Sequence, residues 1–242
     1  MASEINLNAV FTDIANSIRS KKGTTGTIQP VNMADEISTI ETGSSEKSII
    51  YEGLETKGTN WSYSFYGTNN NLFTKITEIK KNDIPPSSNV TDMNNMFCGC
   101  SRLINVPLFD TSNVTNMSNM FRYCSKLTTI PQLNTSKVTN MSSMFYSCSK
   151  LTTIPELDVG NVTNMGDIFA NCSKLTNIYM KNIKVNLDIS PTALQHDALV
   201  ELINNGLSAI TNTRTLTMGS AKLALLSDSE KQVALDKGWT LA

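Results

Sequence analysis

Between Asn113 and Leu157 the chain reads NVTNMSNMFRYCSKLTTIPQLNTSKVTNMSSMFYSCSKLTTIPEL, and its apolar letters return at a fixed interval. Val90, Val114, Val138 and Val162 are 24 residues apart, and the same step carries Met93, Met117, Met141 and Met165. Five further columns keep it: Met96, Met120, Met144 and Ile168; Phe97, Phe121, Phe145 and Phe169; Cys100, Cys124, Cys148 and Cys172; Leu103, Leu127, Leu151 and Leu175; and Val106, Ile130, Ile154 and Ile178. Pro107, Pro131 and Pro155 follow, and Tyr179 breaks that column, which marks the end of the array. A unit this short cannot bury a core alone, so the columns are expected to run through neighbouring copies.

Within one copy, Val114, Met117, Met120 and Phe121 are spaced as on one face of a helical or 3₁₀ turn. CSKLTTIP then reads as a short strand that Pro131 closes. The Asn-Val-Thr and Asp-Thr-Ser segments between these elements are turn and cap chemistry. The predicted class is α/β: a solenoid of 24-residue rungs with a parallel sheet, its period in the leucine-rich-repeat range and its rungs about 4.8 Å apart.

Outside the array the patterning changes. LNAVFTDIANSIRSKKG places Leu7, Val10, Phe11, Ile14 and Ile18 on one helical face, MADEISTI is a second short helix, and the serine-rich stretch near Gly43 is a linker. Two helices of this size cannot build a core, so residues 1–42 are expected to dock on another chain through that face. Residues 43–87 are linker and N-terminal cap, with Trp61, Tyr63 and Phe65 alternating as a half-buried strand. The repeats occupy 88–184, and 185–242 form an α/β C-terminal cap. In the cap, Leu194, Leu199, Leu202 and Ile203 point inward from a helix ending at Gly206, TRTLTMG is a strand, and Ser227 with Glu230 make a capping box.

Composition narrows the function classes. With 20 Lys plus Arg against 21 Asp plus Glu, no global charge points to nucleic acid or an anionic membrane. The apolar runs are too short to span a bilayer, and MASEINLNAVFTDIANSIRS lacks the apolar centre of a signal peptide, so a soluble chain made in a cytoplasm is expected. Five cysteines, four of them on the ladder, argue against a disulfide framework. They also lack Cys-x-x-Cys spacing and a nearby histidine, so buried reduced thiols are expected and no metal; Cys98, off the column, should be more exposed.

Polar columns are the candidate surface. Arg102, Lys126, Lys150 and Lys174 form a cationic row that could bind an anionic polymer, or one that is simply solvated and balanced by Asp110, Glu156 and Asp158. Thr128, Thr152 and Thr176 form a hydroxyl row suited to carbohydrate, or to a strand and nothing more. The Asn-x-Ser/Thr triplets at Asn89, Asn113 and Asn161 are read as repeated turns and not as glycan acceptors. His196 is the chain's one histidine and sits on a cap helix, a structural position. No nucleophile with a base, no paired carboxylates and no phosphate loop can be named, so no enzyme and no cofactor are expected.

The string Met-Phe-x-x-Cys-Ser-x-Leu-x-x-Ile-Pro, preceded by Asn-Val-Thr-Asn-Met, resembles the BspA-like leucine-rich repeats of bacterial surface proteins and of phages that infect Gram-positive bacteria. IANSIRSKKGTTGTIQPVNMADEI resembles an N-terminal module of tail and fibre proteins of such phages, and the C-terminal segment is similar to the one that follows these repeats in phage and bacterial homologues. These resemblances imply a non-enzymatic virion protein made in the host bacterial cytoplasm, a homo-oligomer held to other virion proteins by its N-terminal module. Its repeats would recognise a host cell-surface polymer or protein. A purely structural scaffold and a bacterial surface adhesin are the alternatives.

Overall fold

The computed structural model describes residues 59–62, 64, 79 and 87–242. The predicted N-terminal helices, with Leu7, Val10, Phe11, Ile14 and Ile18, lie outside the described residues, as do Tyr63 and Phe65 of the predicted early strand. What is described is mixed α/β, with small parallel sheets and few helices. Strands β1 (Thr153–Asp158) and β2 (Asn177–Lys181) pair in parallel, and a second parallel sheet has the order β3 (Leu187–Asp188), β4 (Arg214–Thr217), β5 (Trp239–Leu241). Helix α1 (His196–Glu201) and a π-helical turn (Leu202–Gly206) join β3 to β4, and α2 (Ser220–Leu223) and α3 (Asp228–Asp236) join β4 to β5.

The repeat is visible in the backbone pairing. Parallel bridges link Asn60 to Asp92, Asp92 to Asn116, Asn116 to Asn140 and Asn140 to Asn164. Thr59-Asn60-Trp61-Ser62 thus pairs as one more, divergent copy of Thr-Asn-Met-Ser, and the family of apolar positions gains Trp61, which is fully buried. Its spacing of 32 to Asp92, against 24 thereafter, hides it from a search at constant period.

VTNMSNMF forms isolated three-residue turns with Val114, Met117, Met120 and Phe121 inward as expected, but no continuous helix. From Met117 to Cys124 alternate N–H groups point in different directions: those of Met117, Asn119, Phe121 and Tyr123 donate to Asn140, Ser142, Met144 and Tyr146 of the next copy at 2.8–3.0 Å. Those of Met120, Arg122 and Cys124 donate three residues back at 3.0–3.2 Å. A helix would use every N–H locally. Here the alternation needs a left-handed residue in every fourth place, at Asn119 (φ 56°) and Tyr123 (φ 62°) in this copy, and Asn, Ser, Asp and Gly fill most of the equivalent positions.

The strand segment also differs from expectation. Only the last two copies have strands there, and β1 continues through Pro155. Between Ile154–Ile178 and Leu157–Met180 the register shifts, so that Pro155 and Glu156 face Tyr179 alone. Pro has no N–H to give a ladder, and a bulge lets the pairing step over it.

The apolar columns run inward as one core from Trp61 to Trp239. The Phe rings of successive copies stack face to face, Phe97 on Phe121 at 5.4 Å, Phe121 on Phe145 at 5.9 Å and Phe145 on Phe169 at 6.1 Å, all within 8° of parallel. Buried hydroxyls tie the far side: Ser87, Thr111 and Thr135 donate to the carbonyls of Asp110, Asn134 and Asp158. At the C-terminal end the Ile183–Leu207 bridge and the bond from Ala193 N–H to the Leu175 carbonyl attach the next segment. There Leu194, Leu199, Leu202 and Ile203 are buried, as their spacing predicts, and the Ser227–Glu230 capping box forms at the start of α3.

Candidate functional site

The four expected cations occupy the same place in successive copies. Arg102, Lys126, Lys150 and Lys174 are each exposed, between an inward cysteine two residues before and an inward leucine one after. None makes an ion pair among the described residues. The acids expected to balance them are engaged elsewhere. Glu156 binds Lys181 at 2.5 Å, Asp158 accepts from the Asn182 amide and Gly160 N–H, and Asp110 accepts from Ser112 N–H. The bonds from Asn182 and from Ser112 are the leading causes that hold Asp158 and Asp110 below the usual carboxylate range.

The threonine row is exposed but partly committed. Thr128, Thr152 and Thr176 each donate the hydroxyl proton to a carbonyl of the preceding copy, at 3.4, 3.4 and 3.1 Å. The backbone N–H of each makes a bond to the same carbonyl. Their hydroxyls face a ligand as acceptors only. The Asn113 and Asn161 amides donate at 2.6 Å to the Ser88 and Ser136 carbonyls of the copy before, in keeping with turn chemistry.

The cysteine column is buried, and its thiols are hydrogen-bond donors. Cys124, Cys148 and Cys172 donate to the carbonyls of Phe97, Phe121 and Phe145 at 3.0–3.1 Å. Burial pushes every one of these thiols up, Cys172 to about 12, which removes thiolate reactivity. Cys98, off the column, is more exposed than the column cysteines but still buried at 4%, and its pKa rises to about 11 through burial. It shares its place in the repeat with Arg122, whose charge is near enough to oppose that rise. Among the described residues no group of three or more His, Cys, Asp or Glu is placed to hold a metal ion.

Sequence reasoning missed a cluster on another edge of the copies. The Arg122 guanidinium carbon lies 4.9 Å from the centroid of the Tyr123 ring and 4.7 Å from that of Tyr146, within range of a cation–π contact to both. The rings meet edge to face at 5.5 Å and 76°. One terminal nitrogen of Arg122 donates to the Tyr123 hydroxyl at 3.2 Å and the other to Asn119 Oδ1 at 3.4 Å, while Nε is buried without a partner. Tyr123 is 45% exposed and left-handed, a conformation that costs an L-residue about 1–2 kcal/mol. The signal was present in the repeat itself, because Arg-Tyr stands where the other copies have Cys98-Gly99, Tyr146-Ser147 and Ala170-Asn171.

His196 carries a second polar cluster. Its ring nitrogens contact Asp197 Oδ1 at 2.9 Å and Glu230 Oε1 at 3.0 Å, linking α1 to the capping box of α3.

The described residues thus form successive copies of one unit, with exposed polar rows over a shared buried core. The chain belongs to the family described as Mycoplasma protein of unknown function, DUF285, whose model matches residues 59–183, more than half of its length. That family fits a BspA-like repeat protein, and the match begins at the divergent copy around Trp61. No curated protein and no solved structure matches the chain.

Proposed function

We propose that this chain is a non-enzymatic phage virion structural protein, of tail, fibre or surface-decoration type, in which a solenoid of 24-residue rungs recognises the host surface. The observation that carries it is the exposed cationic row, recurring once per copy and without an ion pair among the described residues. A rigid row of cations matches a polymer with charges at regular intervals, such as a teichoic acid or an acidic glycan. Residues 1–42, with the apolar face Leu7, Val10, Phe11, Ile14 and Ile18, would hold the protein to other virion proteins as a homo-oligomer, after synthesis in the host bacterial cytoplasm. No cofactor, nucleic acid or membrane insertion enters this reading. A bacterial surface adhesin is the second reading, favoured by a family description that speaks of a Mycoplasma protein.

Retention of the full chain on purified Gram-positive cell walls tests recognition. Lys126→Glu/Lys150→Glu is expected to weaken retention roughly tenfold or more, steeply so at low salt, and Thr152→Val to leave it unchanged. Absence of retention by the wild-type chain would discard the recognition role, and clearing of the wall in a zymogram would discard the non-enzymatic one. Tail or capsid genes beside the coding gene are expected for the virion protein; their absence favours the adhesin.

A further inference from the structure

We propose that Arg122, Tyr123 and Tyr146 form a binding site for an anionic pyranose, a sugar ring bearing a carboxylate or a phosphate. It names the ligand class for the proposed host-surface recognition and rests on that reading. The first support is the choice of Arg-Tyr at a place where every copy differs and the others manage with smaller or uncharged pairs. Packing, turns and the hydrogen-bond ladder are met in the other copies by Cys98-Gly99, Tyr146-Ser147 and Ala170-Asn171, so nothing in the stacking asks for Arg-Tyr here.

The second support is the strain. Tyr123 N–H must donate to the Tyr146 carbonyl, at 2.8 Å, to continue the ladder, and this holds its φ at 62° where the preceding copy has Gly99 at 79°. A tyrosine in that conformation would be offset if its ring were buried, yet Tyr123 remains 45% exposed. The ring is held out toward solvent by a backbone that favours a smaller residue.

The chemistry of the cluster then selects the ligand. Arg122 lies over both rings, and Tyr123 keeps 45% of its surface exposed beside it. The π face of an aromatic ring is electron-rich, and the axial C–H hydrogens of a pyranose are slightly positive, so the two stack. The guanidinium lies against the rings with Nε out of water, which weakens its hydration and strengthens its pull on an anion. Its terminal nitrogens, beside the Tyr123 hydroxyl and Asn119 Oδ1, form the edge at which a carboxylate or phosphate would be taken.

The experiment compares the full chain with Tyr123→Gly and Arg122→Gln against soluble polygalacturonate, polyglycerol phosphate, dextran and purified walls. Tyr123→Gly installs the residue of the preceding copy and relieves the left-handed strain, so its melting temperature should not fall; this separates loss of binding from loss of fold. Expected are binding of polygalacturonate by the wild type, weakened about tenfold or more in each variant, and no binding of dextran. Equal polygalacturonate binding by wild type and Tyr123→Gly overturns the site, as does its absence in the wild type. Polyglycerol phosphate, which has no pyranose, distinguishes the charge from the ring: binding that exceeds polygalacturonate and ignores Tyr123 assigns recognition to the cationic row and also overturns the site. If walls are retained equally by Tyr123→Gly and lost in Lys126→Glu/Lys150→Glu, the site fails while host recognition stands. If walls are not retained but polygalacturonate binding depends on Tyr123, the site stands and host recognition fails.

Discussion

In Met93–Gly99, Met117–Tyr123 and Met141–Ser147 the backbone crosses to the next copy at alternate residues, whereas beyond Ile183 the parallel strands are joined by helices whose hydrogen bonds are largely internal. The two regions share parallel pairing and one continuous core. They differ in where stability resides. In the array each copy supplies the other half of its neighbour's ladder, Phe stack and thiol bonds, so a lost side chain is felt on both sides. In the C-terminal segment single residues close single joints. Lys237 is the example: its ammonium donates to the carbonyls of Ile203, Asn204 and Leu207 at 2.8, 2.6 and 2.9 Å, using all three protons at the end of the π-helical turn.

The largest effect is expected from Phe145→Ala. The ring is fully buried between Phe121 and Phe169, and its removal should cost about 3–5 kcal/mol, measured by denaturant unfolding. Amide exchange should then speed up in the copies on both sides of Phe145 and stay slow in α3. Lys237→Met, which keeps the aliphatic stem, should cost less, about 1–3 kcal/mol, because it removes hydrogen bonds and no core side chain. Its exchange footprint should stay between Ile203 and Trp239. If either substitution loosened the whole described chain evenly, the contrast between shared and local joints would be wrong.

What could be read from the sequence follows the same division. Columns such as Phe121 and Leu127 were legible because burial repeats at a fixed step, and the Ser227–Glu230 box because its chemistry is local. The coil in VTNMSNMF was not, since its apolar spacing also suits a helix and the deciding bonds run to Asn140 and Ser142, far along the chain. The thiols could be read as buried but not as donors, a role that depends on the previous copy's Phe carbonyl lying 3.0–3.1 Å away. Of the candidate surface, the exposure of Arg102, Lys126, Lys150 and Lys174 followed from their place beside an inward leucine. Arg122 and Tyr123 sit in columns that vary from copy to copy, so the periodicity that exposes the core says nothing of them.

The smallest effect lies at the joint between α1 and α3, and it depends on pH. Hydrogen bonding to Asp197, reinforced by the charge of Glu230, holds the His196 pKa above its ordinary value, so the folded state binds the proton more tightly than the unfolded chain does. That contribution is complete below about pH 6.5, the unfolded value, and is lost as pH rises through the folded pKa. Glu230 acts in the opposite direction. Its pKa is lowered, first by the Ser227 hydroxyl, so its share is present above the unfolded value near 4.5 and is lost as pH falls through the folded one. The joint is therefore tightest in the weakly acidic range between those two losses. Because the chain has one histidine, a single set of imidazole resonances reports the folded titration without assignment. A midpoint above 6.5 is expected, together with a fall in stability from pH 6 to 8 that His196→Asn abolishes. A midpoint at or below the unfolded value would mean that the joint between the helices does not hold the proton, and that α3 is fixed to α1 by its buried side chains alone.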